Sequence, residues 1–309
     1  MASISIVTIC MDNPSALWQT CASVARQTQH PRQHIIVDSS AIRHRKQMRT
    51  IAKTFSVQYR WVKPSGTYGA MAEGLKELPE NDYVIFLNAT DWFAGEKTLE
   101  LTVAAINDAH ERGESFHWGL GKTPVHDKGH SYFLKHAKTP EKLWEMLSRG
   151  TIGLPHPSMV CRVSDINELG TFHKPWKVSL DYELALNLGT ERGAPAVLGF
   201  PISYYDQHGG SATAPWSTLA SKFRVRNTVM GRGSLIWAAN SLIWTALRFL
   251  LRRSPNSPLR ENVLDKCGWH RFVMAPNKHY CALGDDQLFP GCCEKALEQS
   301  MAVTSSLEE

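Results

Sequence analysis

With 309 residues, the chain is long enough for one large domain or two small ones, and its 43% hydrophobic and 20% charged residues are typical of a globular rather than a disordered protein. The formal net charge of +5 is too small to argue for nucleic acid as a partner, although it suits an anionic small molecule or a membrane surface. Seven irregularly spaced cysteines indicate reduced thiols rather than a disulfide framework, and the first residues show no signal-peptide pattern, so we expect a cytoplasmic protein.

Strand and helix patterns alternate along the first third of the chain. The apolar run 4–9 precedes Asn13-Pro14, where Asn suits a helix N-cap and Pro suits the first helical position. A second apolar run covers 34–37, so the two runs predict a strand–helix–strand unit with parallel strands and a right-handed crossover. Helical or alternating apolar spacing predicts further elements near 48–55, 57–61 and 97–110.

The stretch 66–93 predicts a helix, a turn, a buried strand and a polar tip. Residues 83–87 form a continuous apolar run, as in a strand that is covered on both faces. Asn88, Thr90 and Asp91 follow at once. Because ligands of open α/β sheets bind beyond the carboxyl ends of the strands, Asp91 is a candidate ligand for a hard cation such as Mg²⁺. The alternative is that Asp91 caps a following helix.

The sequence GTYGAMAEG at 66–74, followed by YVIFLNATDWF at 83–93, resembles the family 2 glycosyltransferases. The likeness is to members that carry a G-I-Y-D-A-M-N-K-G loop followed by F-L-N-S-G-D, as in enzymes of the colanic-acid and capsular-polysaccharide type. The resemblance implies a GT-A fold, an α/β architecture with a Rossmann-like, mostly parallel mixed sheet flanked by helices. This domain would cover 1–215, and a helical C-terminal extension would cover 216–309.

The resemblance also implies a nucleotide-sugar site at the edge of the sheet. In the family the acidic motif binds a divalent metal that holds the diphosphate of the donor, which implies Mn²⁺ or Mg²⁺ at Asp91, with His208 beside a G-G-x-S-like loop as a second candidate ligand. A solvated loop histidine is the alternative for His208. The family's V-V-D-x-x-S motif implies that Asp38 binds the base, and an Asx-turn is the alternative. The residues implied in nucleotide-sugar binding are Thr8, Asp38, Gly66, Tyr68, Asn88, Thr90 and His156.

The segment VSLDYEL at 178–184 resembles the family's I-A-A-D-Y-D-L, in which the first carboxylate is the general base. The resemblance therefore implies that Asp181 is the catalytic base, and direct displacement with one base inverts the anomeric carbon. Glu183 lies two residues further on and would face elsewhere on a helix. The alternative for Asp181 is a helix cap.

Taken together, the motifs imply an inverting, metal-dependent glycosyltransferase of the hexosyltransferase type. It would move a sugar from a UDP- or GDP-sugar to a glycan or a lipid-linked acceptor in surface-polysaccharide or glycolipid synthesis. Gly69, Ala72 and Thr90 stand where the family has Asp, Asn and, in many members, Asp. These departures motivate an alternative function, a catalytically weakened sugar-nucleotide-binding protein of the same fold.

Residues 234–251 are apolar and helix-competent. Trp237 and Trp244 are seven positions apart and share a helical face, which suits a helix at a membrane interface, here the inner face of the membrane. The alternative is a helix that packs on the domain or in a homodimer interface. The cysteines and histidines of the tail match no standard zinc-finger spacing.

Overall fold

The computed structural model describes residues 1–127, 130–134, 136–150, 152, 154–170, 172, 179–206, 215–231 and 269–272. His208 and the segment 234–251 lie outside these residues, so the predictions made for them stay predictions. Among the described helices, none is both long and apolar enough to cross a membrane.

The helices and strands alternate as predicted. The strands are β1 (Ile4–Cys10), β2 (Gln33–Asp38), β3 (Gln58–Trp61), β4 (Tyr83–Asn88), β5 (Trp92–Phe93), β6 (Trp118–Lys122), β7 (Pro124–Asp127), β8 (His130–Leu134), β9 (Met159–Arg162), β10 (Ala196–Pro201), β11 (Ser203–Asp206) and β12 (Trp269–Phe272). The helices are α1 (Pro14–Ala25), α2 (Ile42–Thr54), α3 (Thr67–Leu75), α4 (Thr98–Glu111), α5 (Pro140–Ser148), α6 (Val163–Leu169), α7 (Leu180–Glu191) and α8 (Pro215–Met230), with a 3₁₀ turn at His156–Ser158.

Seven of the described strands form the main sheet, in the order β10-β6-β9-β4-β1-β2-β3. β1 pairs in parallel with both β2 and β4, β2 pairs in parallel with β3, and β10 pairs in parallel with β6. Only β9, among the described members of this sheet, runs antiparallel to its neighbours. Five described strands form a second sheet in the order β12-β8-β7-β11-β5. The predicted fold class, a mostly parallel mixed sheet flanked by helices, is confirmed.

Strand β4 is buried on both faces, which explains its continuous apolar run. Val84 and Phe86 belong to the core formed with α3 and α7, whereas Ile85 and Leu87 belong to the core formed with α4. Alternate residues of a strand point to opposite faces, so both sets must be apolar. The strand therefore runs through the centre of the domain and delivers the polar residues that follow it to the edge of the sheet.

Single residues in the sequence position two of the helices, α1 and α3. The Asn13 side chain accepts a hydrogen bond from the Ala16 backbone N–H at 3.1 Å and caps α1, as predicted. On α3, a Cβ atom at Gly74 would lie 2.4 Å from Val7 Cγ1. The helix can lie this close to β1 only because residue 74 has no side chain.

Candidate active site

The site forms where four segments meet at the carboxyl end of β4. These segments are the start of α3, the end of β4, the 3₁₀ turn before β9 and the start of α7. They bring together the side chains of Tyr68, Asn88, His156 and Asp181, which form one connected chain of polar contacts. The sequence resemblance placed all four residues in the site, but it did not predict that they contact one another.

Gly66 and Tyr68 start α3 at the site. Gly66 precedes the helix with a φ of +82°, a conformation that side chains disfavour, so the turn requires glycine. Tyr68 follows in the first turn, and its hydroxyl donates a hydrogen bond to Asp181 Oδ1 at 2.9 Å. Its ring stacks on Phe172 with 6.0 Å between the centroids. Burial and the charge of Asp181 raise the pKa of Tyr68 well above its usual value, so the hydroxyl remains a donor.

Asp181 lies in the first turn of α7, and its side chain is 20% exposed. The helix begins at Leu180, so Asp181 is inside the helix rather than its N-cap. Oδ1 accepts hydrogen bonds from the Tyr68 hydroxyl and from the Tyr182 backbone N–H at 2.8 Å. Burial acts to raise the pKa of Asp181, but His156, the Tyr182 N–H and the Tyr68 hydroxyl outweigh it and lower the pKa below its ordinary value. Asp181 is therefore an ionised proton acceptor at neutral pH.

His156 lies between Asn88 and Asp181. Its Nε2 is 3.1 Å from the Asn88 side-chain nitrogen, and its Nδ1 is 3.7 Å from Asp181 Oδ2. With the amide nitrogen of Asn88 assigned as the donor, Nε2 is the acceptor. An N–H on Nδ1 then faces the carboxylate. His156 thus favours the ionised form of Asp181.

Asp91 closes a turn at the end of β4. Its Oδ2 accepts a hydrogen bond from the Asn88 backbone N–H at 3.1 Å, and its own backbone N–H donates to Asn88 O at 2.9 Å. The residue is 1% exposed, and Thr90 beside it is half-buried. Because β5 follows and α4 begins at Thr98, Asp91 does not cap a helix, and that alternative is wrong.

The described residues contain no group of three or more His, Cys, Asp or Glu side chains that could hold a metal ion. Asp91 nevertheless fits a cation that is shared with a substrate. Mg²⁺ in such sites is bound by one or two carboxylates together with water and substrate phosphates, rather than by a protein-only cage. A cation held by Asp91 in this way would share its carboxylate with the Asn88 N–H.

Asp38, at the end of β2, is fully buried. Its Oδ1 accepts a hydrogen bond from the Ser40 N–H at 2.8 Å, and its Oδ2 accepts one from the Tyr59 hydroxyl at 2.6 Å. The first bond forms the Asx-turn that we gave as the alternative, and the second involves a residue that the sequence analysis did not connect with the site. Base binding by Asp38 stays a prediction.

Thr8 is not brought to the site. It is fully buried two residues before the end of β1, and its hydroxyl lies 2.8 Å from His34 Nε2. Its polar group is therefore used inside the sheet. Burial lowers the pKa of His34 to about 4, so the ring is neutral at physiological pH.

Comparisons with known proteins show the class of fold. No family model matches the chain, and a search of curated proteins finds no match. Among solved structures, S. aureus TarS 1–349 has a TM-score of 0.55 and 13% identity, over 72% of this chain and 64% of that chain. The match to a second TarS structure covers 45% of that chain, so in these two matches the aligned region spans under two thirds of the TarS chain.

Two structures with bound nucleotide sugars are also similar. TarS 1–349 in complex with UDP-GlcNAc has a TM-score of 0.53 and 14% identity, over 86% of this chain and 80% of that chain. The mannosyltransferase PcManGT from Pyrobaculum calidifontis, in complex with GDP-Man and Mn²⁺, has a TM-score of 0.50 and 15% identity, over 85% of this chain and 82% of that chain. At these identities the likeness shows the fold alone, which is the GT-A fold.

Proposed function

We propose that this protein is a glycosyltransferase that moves a hexose from a UDP- or GDP-sugar to a hydroxyl of a glycan or lipid-linked acceptor in surface-polysaccharide or glycolipid synthesis. The observation that carries the proposal is the Asp181 carboxylate, which is ionised, only partly exposed and fixed by Tyr68 and His156 at the ligand-binding edge of a GT-A sheet. The UDP-GlcNAc and GDP-Man complexes of structures with this fold support the choice of donor class.

In this proposal, Asp181 removes the proton from the attacking hydroxyl. Oδ1 already accepts two hydrogen bonds, from Tyr68 and from the Tyr182 N–H, whereas Oδ2 has the longer 3.7 Å contact with His156, so we assign Oδ2 to the acceptor hydroxyl. The hydroxyl proton goes to Oδ2 as the acceptor oxygen bonds to the anomeric carbon and the bond to the nucleotide diphosphate breaks. One direct displacement inverts the anomeric carbon. A general base of this kind contributes about 10²–10⁴-fold to the rate.

Asn88 connects the proposed base to the proposed diphosphate site. Its side-chain amide contacts His156, and its backbone N–H holds Asp91 Oδ2. Asp91 would hold a Mn²⁺ or Mg²⁺ ion, and such an ion neutralises charge on a leaving diphosphate. Asn88 therefore fixes the orientation of both ends of the site, while Gly66, Thr90 and Asp38 complete the proposed nucleotide-sugar site at the strand ends.

A second candidate is the sugar-nucleotide-binding protein without efficient transfer. The observation that favours it is the start of α3, where Gly69 replaces the family's Asp. A Cβ atom at Gly69 would lie 2.2 Å from Ser65 Oγ, so Ser65 or the helix would have to shift to admit that Asp. The two candidates differ in turnover but not in binding of the donor.

The test is a thermal-shift screen of nucleoside diphosphates and their sugars, with and without Mn²⁺, followed by transfer and hydrolysis assays on whichever donor stabilises the protein. Stabilisation together with turnover supports the transferase. Stabilisation without transfer or hydrolysis supports the binding protein, and no stabilisation by any donor contradicts both.

We also propose that the segment 234–251 associates with the membrane interface at its inner face, and the competing proposal is a packed or homodimer helix. Removing residues from 234 onward should release the protein from vesicles if the first proposal is right. If the truncated protein unfolds or becomes monomeric instead, the helix has a packing role.

A further inference from the structure

Helix α2 is strongly basic. The chain has 34 Lys and Arg against 29 Asp and Glu. Helix α2 contains five of those cations and no carboxylate. The remaining residues therefore hold 29 cations and 29 carboxylates, so the net charge of +5 equals the charge of α2 alone. The small net charge of the whole chain therefore coexists with one strongly basic helix.

The cations of α2 point away from the core. Met48, Ile51 and Ala52 are buried and hold one face of the helix against the domain. The opposite face carries four exposed basic side chains, and among the described residues none of the four forms an ion pair with a carboxylate. These residues are Arg43, Lys46, Arg49 and Lys53.

Two aromatic side chains support the base of this surface. The Arg45 guanidinium lies 3.6 Å from the centroid of the Trp61 ring, and Arg49 lies 5.7 Å from that of Tyr59. Arg45 Nε also donates to Ser40 O at 3.3 Å. Cation–π contacts of this kind hold guanidinium groups in place. Arg45 and Arg49 are therefore held in place at this face.

Exposed apolar side chains lie at the N-terminal end of the same surface. Ile42, the first residue of α2, is 81% exposed, and Met11, just after β1, is 61% exposed. Asp12 joins the loop after β1 to the loop before α2. Its N–H donates to Ser40 Oγ and its Oδ1 accepts from the Ala41 N–H, each at 2.8 Å. Met11 and Ile42 are thus each adjacent in sequence to a residue of these hydrogen bonds, Asp12 and Ala41.

We propose that the outward face of α2, together with Met11 and Ile42, docks on an anionic lipid bilayer. Basic residues near an anionic membrane each strengthen partitioning by roughly fivefold, and apolar side chains beside them insert at the interface. A surface for single-stranded nucleic acid uses aromatic rings that are open for base stacking, whereas the guanidinium of Arg45 lies over Trp61. The proposal rests on charge and exposure alone, so it is independent of the proposed sugar transfer.

The test is co-sedimentation of the full-length chain with vesicles of phosphatidylcholine, alone or mixed with phosphatidylglycerol, at low and high salt. The variant is Lys46→Gln/Arg49→Gln/Lys53→Gln, because glutamine keeps helix propensity and removes charge. The matched control is Lys97→Gln/Lys122→Gln/Lys138→Gln, which removes the same charge from exposed sites outside α2. Circular dichroism and thermal unfolding check that both variants fold.

We expect the unmodified chain to bind the anionic vesicles and to be released by salt, since the attraction is screened. The α2 variant should bind at least tenfold more weakly, and the control should bind as the unmodified chain does. Met11→Ser/Ile42→Ser should weaken binding without changing its salt dependence.

Three results would overturn the proposal. One is equal binding to both kinds of vesicle that persists at high salt, which would assign attachment to 234–251 instead. Another is an equal loss of binding in the control, which would show an effect of net charge only. The third is tight binding of single-stranded RNA through α2 by a full-length chain that does not bind vesicles. If the triple variant fails to fold, Met11→Ser/Ile42→Ser decides the matter, because unchanged binding by that variant would exclude this surface.

Discussion

The Tyr68 hydroxyl donates a hydrogen bond to Asp181 Oδ1 at 2.9 Å, although the two residues are 113 positions apart in the chain. This bond joins the first turn of α3 to the first turn of α7. The same carboxylate lies 3.7 Å from His156 on its other oxygen. The proposed base is therefore held from two separate elements, and each contact can be removed without removing the carboxylate.

Tyr68→Phe removes the hydroxyl and keeps the ring that stacks on Phe172. The hydrogen bond from Tyr68 lowers the pKa of Asp181, so its loss should raise that pKa. Activity depends on the ionised base and falls as pH drops, so the acidic limb of the kcat/KM profile should move to higher pH. Turnover should fall about tenfold or more, because a hydrogen bond to a charged group is worth ~1.5–3 kcal/mol.

The control for this prediction is Phe172→Leu, which alters the stacking and keeps the hydroxyl. It should leave the acidic limb where it is. A Tyr68→Phe enzyme with an unchanged pH profile and turnover would show that the bond to Asp181 has no part in the reaction.

Asp91→Asn separates the charge of Asp91 from its role in the turn. The amide oxygen can still accept the Asn88 N–H, so stability should change by less than about 1 kcal/mol. The added affinity that Mn²⁺ gives to nucleoside diphosphate binding should be lost, because one carboxylate ligand is gone. Calorimetric titration with and without Mn²⁺ measures this.

Asp91→Ala is the matched comparison. It should lose the same Mn²⁺ effect and also destabilise the fold by ~1–3 kcal/mol, because the Asn88 N–H loses its acceptor. Full Mn²⁺-dependent affinity in Asp91→Asn would assign the metal to other residues.

His34 predicts a pH-dependent loss of stability. Its folded pKa of about 4 lies below the ordinary value of 6.5, and its Nδ1 has no hydrogen-bond partner in the described part of the chain. The unfolded chain therefore takes up the proton first. The stability linked to His34 is fully present above about pH 6.5 and is lost as pH falls toward 4, by roughly 3 kcal/mol. Urea unfolding across this range measures the loss.

The variant Thr8→Val/His34→Leu removes both partners of the buried bond and should flatten the curve between these pH values. His136 also has a pKa lowered by burial, but it is present in both proteins and cancels in the difference. Identical slopes for the two proteins would show that His34 does not titrate in this window.

The alternation of strands and helices was predictable from local signals in the sequence, whereas the GT-A fold class came from the resemblance to a family. Continuous apolar runs, the Asn13 cap and alternating helices and strands each recur in the structure. Thr8 shows where local signals fail. It resembles a polar residue at the edge of the sheet, but the pairing of β1 with β2 sets Thr8 opposite Ile36 and brings its hydroxyl to His34. That contact depends on strand register.

The candidate site was predictable as a set of residues but not as a set of contacts. Motif resemblance identified Asn88, His156 and Asp181 one at a time. Their contacts cross from β4 to the 3₁₀ turn and then to α7, and those distances follow from strand order rather than from spacing in the chain. Tyr59, which holds Asp38, gave no signal beyond the alternation of its strand.

Gly69→Asp restores the residue that the family has in this loop, and we expect it to destabilise the protein. A Cβ atom at 69 would lie 2.2 Å from Ser65 Oγ and 2.7 Å from Ser65 Cβ, so the loop must shift, at ~1–3 kcal/mol. In a Ser65→Gly background the same change should cost much less. Thermal unfolding of the single and double variants measures the difference, and equal losses in both backgrounds would show that Ser65 is not the obstacle.

Asp181→Asn separates a transferase from a binding protein. The amide has the size of the carboxylate and can keep the bond from Tyr68, but it cannot take the proton of an attacking hydroxyl. Donor affinity should therefore stay within a few-fold, while turnover at saturating donor should fall by about 10²–10⁴-fold, as removal of a general base does.

Glu183→Gln is the control for Asp181→Asn. Glu183 is buried two positions further along α7, and its charge has no part in the proposed step, so turnover per folded molecule should stay close to that of the unmodified protein. If Asp181→Asn keeps its turnover and Glu183→Gln loses it, the base is Glu183 and Asp181 only organises the start of the helix. A further outcome is that the unmodified protein binds the donor and still transfers the sugar neither to an acceptor nor to water. In that case the absence of transfer has a cause other than the base at Asp181. The double variant Gly69→Asp/Ser65→Gly restores the family's Asp and removes the side chain that obstructs it, so sugar transfer should be assayed first in this variant.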